Sequence, residues 1–307
     1  MKKLYLFNPE NDMALASGSP YYMAPASAKK MAADLATLPV WYADAGSAVW
    51  VSDERQVSWL REECRLPLAI DGVLDIPEIC DGIIPWGWNP ALLHRLGNCF
   101  TGKIKMECVR SLSSRKSAVN LLPKLRVKGT VGESYWLTSV ADVCLFVMPY
   151  DKILLKAPWS GSGKGIQPLS GQPEDNLKGW VKRIISSQGG VVGEPFYQKV
   201  KDFAMEFYVS DSGVSFVGYS LFEADARGIY KENRLASDDV IEKELAEYVS
   251  LSLLHELQEK LLQELPQLLK DNYQGYLGVD MMVVCTSEGY AVHPCVEINL
   301  RRNMGVG

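Results

Sequence analysis

The chain has 307 residues, 47% hydrophobic and 22% charged, with a net charge of −5. This is the composition of a globular protein with room for two or three domains, and the lack of a basic block excludes nucleic acid as an evident partner. Seven cysteines without C-x-x-C spacing speak against a zinc site or disulfide frame and for a reducing, cytoplasmic setting. No apolar run approaches the ~20 residues of a membrane span, and Leu4–Phe7 is too short for a signal peptide.

In chain order, Lys3–Phe7 reads as a buried strand that ends in the polar turn Asn8-Pro9-Glu10-Asn11-Asp12. Helical spacing follows over residues 26–38, with Pro25 suited to the first turn. Pro39–Ala43 and Ala48–Val51 are strand-like, and Ser52 is placed to cap a helix that runs to Cys64. Gly82–Pro85 is another strand, ending in Trp86-Gly87-Trp88-Asn89, and Pro90–Leu96 is a short helix. Strands alternating with helices imply an open, mostly parallel α/β sheet. Such sheets bind ligands at the carboxyl ends of their strands. Asn8, Glu10, Asn11, Trp88 and Asn89 are therefore candidate substrate contacts, against a plainer reading as turn caps and packing tryptophans.

The middle of the chain opens with a capped helix start, Ser111–Leu122, carrying Arg115 and Lys116. Strand-like Ser134–Leu137 and a short helix over 139–146 precede a strand that carries Lys156. Next comes Ser160-Gly-Ser-Gly163-Lys164-Gly165. Glycines let backbone N–H groups approach phosphate oxygens, and a lysine supplies charge. The loop is not a Walker A sequence, because Pro158 stands for its first glycine and Gly165 for its Ser/Thr. A G-x-G-x-G flap fits better, with a plain turn as the competing reading. A helix over 180–187, a strand running into Glu194-Pro-Phe-Tyr197, and a strand from Asp202 that carries Glu206 follow.

Residues 214–221 read as a strand and 222–234 as a polar loop with Lys231 and Arg234. Residues 238–269 read as a helix, divided or kinked at Pro266, with its leucines in the core. The tail is the most informative stretch. Val279–Cys285 and Tyr290–Asn299 form a hairpin through Thr286–Gly289. Alternation puts Glu297, Asn299 and Arg301 on one face, and the partner strand can bring Asp280 onto it. Two carboxylates and an amide oxygen suit Mg²⁺ (or Mn²⁺), with phosphate oxygens completing the shell. The alternative is a surface strand with solvated polar residues, yet a carboxylate inside each of two apolar runs is costly to bury without a partner.

Taken in order, these parts resemble the ATP-grasp superfamily, as in D-alanine–D-alanine ligase and biotin carboxylase, over roughly residues 106–303. The resemblance implies an α/β and α+β chain: an N-terminal open parallel α/β domain (1–105), then a two-lobed ATP-grasp fold with a small lobe (106–200) and a metal-bearing C-terminal lobe (201–307). It implies ATP contacts at Lys116 (Arg115 as the alternative), Lys156, Ser160, Gly163, Lys164, Glu194, Tyr197 and Glu206 (Asp202 as second choice for the ribose). It implies metal ligands Asp280, Glu297 and Asn299, with Glu297-Ile-Asn299-Leu-Arg301 the most specific element. Family members often carry an arginine two residues before the first metal carboxylate; here that residue is Gly278, so Arg301 or Arg302 supplies the cation, with Arg234 reaching in from its loop. The chain stops eight residues after Asn299, where many relatives continue into a helix, so a minimal or shortened form is expected.

The expected reaction is ATP-dependent ligation of a small-molecule carboxylate to an amine or other nucleophile through an acylphosphate. A small-molecule kinase and a non-catalytic ATP-binding module are the alternatives. A homodimer, with neither nucleic-acid nor membrane partner, completes the expectation.

Overall fold

The structure is a computed structural model that describes residues 3–64, 69–76, 82–100, 102, 104–160, 165–224, 230–270, 272–303 and 305. The chain divides into two units, Met1–Arg110 and Ser111–Val306.

The first unit holds β1 (Lys3–Leu6), α1 (Asn11–Ser17), α2 (Ala26–Asp34), β2 (Ala48–Trp50), α3 (Glu54–Ser58), β3 (Asp71–Val73), β4 (Gly82–Pro85) and α4 (Pro90–Leu96). Its strands form one parallel sheet in the order β3-β2-β1-β4. Leu4, Tyr5 and Leu6 are all buried, as expected of a parallel strand covered on both faces. The chain leaves β1 for β2 on one side and returns to β4 on the other, so β1 and β4 flank a topological switch point. Three local readings change. The turn after Phe7 becomes α1, closed by Gly18 at φ 67°. Pro39–Ala43 is not a strand, because Pro39 near the start of Leu38–Trp41 favours a 3-10 turn there. The cap of α3 is Asp53, whose side chain accepts from Gln56 N, rather than Ser52.

Helix α5 (Met106–Leu112) spans the division between the units. The second unit continues with α6 (Arg115–Leu121), β5 (Tyr135–Leu137), α7 (Val140–Val147), β6 (Ile153–Lys156), β7 (Ile166–Leu169), α8 (Asp175–Gln188) and β8 (Val191–Pro195). These strands make an antiparallel sheet in the order β5-β8-β6-β7. Its core is Leu137, Val143, Ile153, Leu155, Val181 and Val191, where α7 and α8 meet the sheet. Then come β9 (Gln198–Ser210), β10 (Gly213–Ala224), β11 (Tyr230–Arg234), α9 (Asp238–Leu245), α10 (Leu251–Leu269), β12 (Gly275–Thr286) and β13 (Gly289–Asn299). They form a second antiparallel sheet, β11-β10-β9-β12-β13, with α9 and α10 packed at β10.

Two expectations fail in this region. Residues 230–234 belong to a strand paired with β10, not to a loop. The long helix divides at 246–250, where Ser250 caps α10 through Leu253 N, and not at Pro266. Pro266 lies in the last turn of α10, where it removes one helical donor, that for the Leu262 carbonyl, without ending the helix. Among the described residues no helix is long and apolar enough to cross a membrane.

Candidate nucleotide and metal site

In the five-stranded sheet, Phe203, Met205, Phe207, Leu277, Val279 and Met281 are buried on one face. The alternate residues carry the polar groups, as a period of two requires. Pairing across β9, β12 and β13 sets them in three rows: Glu206, Gly278 and Asn299; then Ala204, Asp280 and Glu297; then Asp202, Met282 and His293. The three expected metal ligands thus come together from two strands.

Asn299 Nδ2 donates to Asp280 Oδ2 at 3.0 Å, and Arg301 Nη2 donates to Asn299 Oδ1 at 3.3 Å. Burial, then the charges of Glu297 and Glu206, push the Asp280 carboxyl well above its ordinary range. Glu206, 2% exposed, is pushed up by burial to about 7. Arg301 offsets the crowding only in part, and two carboxylates with an amide oxygen are the hard donors that Mg²⁺ or Mn²⁺ takes. The residues therefore fit a divalent cation. Among the described residues no three His, Cys, Asp or Glu side chains are grouped so as to hold a metal ion.

At the start of α6, Ser114 caps the helix and Arg115 turns inward. Its Nη1 donates to Ala157 O and Ser160 Oγ, both at 2.7 Å, and its Nη2 donates to Glu297 Oε2 at 2.7 Å. Lys116 points outward, its ammonium 4.9 Å from the Trp136 ring centre. The alternative cation of that pair is the one beside the acidic row. The loop after β6 is closed by Ala157 N donating to Gly165 O at 2.8 Å, with Gly165 pressed against Ser160. Gly163 and Lys164 lie outside the described residues.

Lys156 and Glu194, from the adjacent strands β6 and β8, form an ion pair at 2.5 Å with side chains 4% and 3% exposed. Burial alone would raise the Glu194 carboxyl; the charges of Lys156 and His293 and the hydrogen bonds from Lys156 and Ser134 together outweigh it and hold the group below its usual value. Ser134 Oγ donates to the other oxygen of Glu194 at 3.2 Å. Beyond Glu194, the Tyr197 hydroxyl accepts from Glu133 N at 2.9 Å, and its ring meets His293 edge-on at 5.5 Å. His293 is fully buried, which lowers its pKa to about 4.

The other expected positions lie elsewhere. Arg234 sits on the edge strand β11, is half exposed and is paired with Glu244 of α9. Arg302 is buried over the Tyr276 ring at 3.9 Å, and Arg301 alone faces Asn299. In the first unit, Asn8 donates to Gly87 O (2.8 Å) and accepts from Gly87 N (3.2 Å), tying the ends of β1 and β4 together. Asn89 caps α4 and reaches Asn11, while Trp88 packs on Phe100 at 4.9 Å. Glu10 is raised by burial, which outweighs a hydrogen bond from its own backbone and the charge of Arg95. Sequence reasoning missed Asn303 and His293. Strand alternation was the available signal, since 293, 297, 299, 301 and 303 share a parity.

Solved structures decide the architecture. The chain aligns over 99% of its length with N5-carboxyaminoimidazole synthetase from Staphylococcus aureus in complex with ADP (12% identity, 72% of that chain, TM-score 0.51). It aligns equally with D-alanyl-alanine synthetase A from Vibrio cholerae (12%, 90% of that chain, 0.52). A third is a biotin carboxylase complex with βγ-ATP from Campylobacter jejuni (15%, 66% of that chain, 0.57). The chain has the ATP-grasp fold. Identities of 12–15% carry the ATP-grasp likeness at the level of fold. No sequence-family model and no curated protein matches the chain.

Proposed function

We propose that this chain is an ATP-dependent ligase that joins a small-molecule carboxylate to an amine through an acylphosphate. The observation that carries the reading is the half-buried row Asp280, Glu297 and Asn299, brought together from two strands, whose first member is pushed far above its ordinary range by burial and then by the charges of Glu297 and Glu206. In this reading the second unit has two lobes that part near residue 200, with the nucleotide between its sheets. Tyr197 and the connector from Glu194 hold the base. Lys156, Ser160, Gly163 and Lys164 take the phosphates, with Arg115 in the place first assigned to Lys116. Asp280, Glu297 and Asn299 hold Mg²⁺ or Mn²⁺. The bound cation supplies charge neutralisation and alignment of phosphate oxygens. Arg301, fixed by Asn299, stabilises charge on the transferring group. The protein's part is positioning and electrostatics, without a covalent nucleophile.

Thermal unfolding with Mg²⁺ and a non-hydrolysable ATP analogue tests this. At a ligand concentration about 100-fold above Kd, stabilisation is about 2.7 kcal/mol. The shift should require the metal and shrink in Asn299→Ala. Absence of any shift in the wild-type protein refutes the reading.

A further inference from the structure

Glu206 was first expected at the ribose, and the register argues for another place. The connector Glu194–Tyr197 leads straight into β9 at Gln198. Asp202 lies level with His293, whose ring meets Tyr197, so that row belongs to the base end. Glu206 is four residues farther along β9, about 13 Å at the rise of a strand. It lies level with Asn299, with the Asp280–Glu297 row between it and the base end. A nucleotide with its base at Tyr197 and its phosphates at Asp280 and Glu297 leaves Glu206 on the far side of the phosphates, where an acceptor must sit.

The surroundings of Glu206 are built. Asn303 Nδ2 donates to Glu206 Oε1 at 2.5 Å, and Gly305 N in turn fixes Asn303 Oδ1 at 2.9 Å. Among the described residues no donor reaches Oε2. That oxygen lies over Gly278, where a Cβ would stand 2.7 Å from it and 2.7 Å from the Asn303 amide. Only glycine on the neighbouring strand leaves this space. Glu206 is 2% exposed, and burial acts against its charge more strongly than the Asn303 hydrogen bond and the charge of Arg301 favour it. A buried carboxylate with one oxygen free gains from a cationic hydrogen-bond donor.

We propose that Glu206, held by Asn303 over Gly278, anchors the ammonium group of the acceptor, so that the second substrate is a primary amine of amino-acid type. This rests on the ligase reading above. The test combines calorimetric titration with Mg²⁺ and a non-hydrolysable ATP analogue, and ADP release from ATP. In the release assay, an equimolar mixture of the twenty amino acids supplies acid and amine. Hydroxylamine, largely uncharged at neutral pH, is then the acceptor with the same amino acids N-acetylated, so that no free α-amine remains. Glu206→Gln should keep nucleotide affinity within about twofold. It should lower amine-dependent ADP release about tenfold or more, and the hydroxylamine-dependent rate several-fold less. Nucleotide binding weakened about tenfold in Glu206→Gln returns the residue to the ribose and overturns the proposal. Equal loss with both acceptors overturns it too, as does wild-type protein that binds nucleotide but turns over with neither. Wild-type protein that binds no nucleotide refutes the reading beneath it instead.

Discussion

The Lys156–Glu194 pair offers the sharpest test of how the smaller sheet of the second unit is held together. Both side chains are almost wholly buried, and they meet at 2.5 Å across adjacent strands. Lys156→Met leaves Glu194 in the interior with only the 3.2 Å bond from Ser134 and distant charge to stabilise it. Removing one partner of a buried pair costs about 3–5 kcal/mol, because the other is left uncompensated. Glu194→Gln strands the ammonium and should cost a similar amount. The double variant Lys156→Met/Glu194→Leu removes both charges and should cost less than either single change, a coupling of several kcal/mol. Urea unfolding followed by circular dichroism measures all three. The sign with pH follows from Glu194, whose folded-state carboxyl lies below its ordinary value. Its stabilisation is complete above the unfolded value, about 4.3, and is lost as pH falls through the folded value. Glu194→Gln should lack that acid limb. Single variants that cost under about 1 kcal/mol, or a double variant equal to their sum, would refute the reasoning.

Two further changes probe the neighbouring packing. His293 titrates near 4 in the folded protein, below its ordinary 6.5. Stability should therefore fall by about 3 kcal/mol as pH drops from 6.5 to 4, the unfolded chain taking up the proton first. His293→Leu should flatten that part of a pH series of urea midpoints. Gly132 has φ 130°, and a Cβ there would stand 2.8 Å from the His293 ring. Gly132→Ala should lower stability by about 1–3 kcal/mol in thermal unfolding. Gly46→Ala, at φ 77° with open space around it, should cost about 1 kcal/mol or less.

The tail hairpin was legible because its signal is local. Two apolar runs, each with one carboxylate and joined by a short turn, fix both pairing and facing, and Asp280 duly opposes Glu297. The parallel sheet of the first unit was legible for a similar reason, through alternating strand and helix patterns. What sequence could not supply was the direction of side chains at a helix start. Arg115 and Lys116 differ by one position, or about 100° around the helix, and only packing against Ala157 and Ser160 selects Arg115. The polar stretch before α9 read as a loop because β11 is an edge strand, where polar residues replace the alternating apolar face. The asparagines of the first unit read as ligand contacts because pattern cannot distinguish an amide that faces a substrate from one that bridges two backbone loops, as Asn8 does with Gly87.

The claim that the half-buried acidic row awaits a divalent cation is tested most directly by Asp280→Asn, with thermal unfolding measured in four states: without ligand, with Mg²⁺, with an ATP analogue, and with both. The substituted amide keeps an acceptor for Asn299 but removes the repulsion from Glu297 and Glu206. The variant should be more stable than wild type without ligand, by about 1–2 kcal/mol, and should lose the added shift that Mg²⁺ gives with nucleotide. An Asp280→Asn protein that is less stable without ligand, or that keeps the full Mg²⁺-dependent shift, would contradict the account.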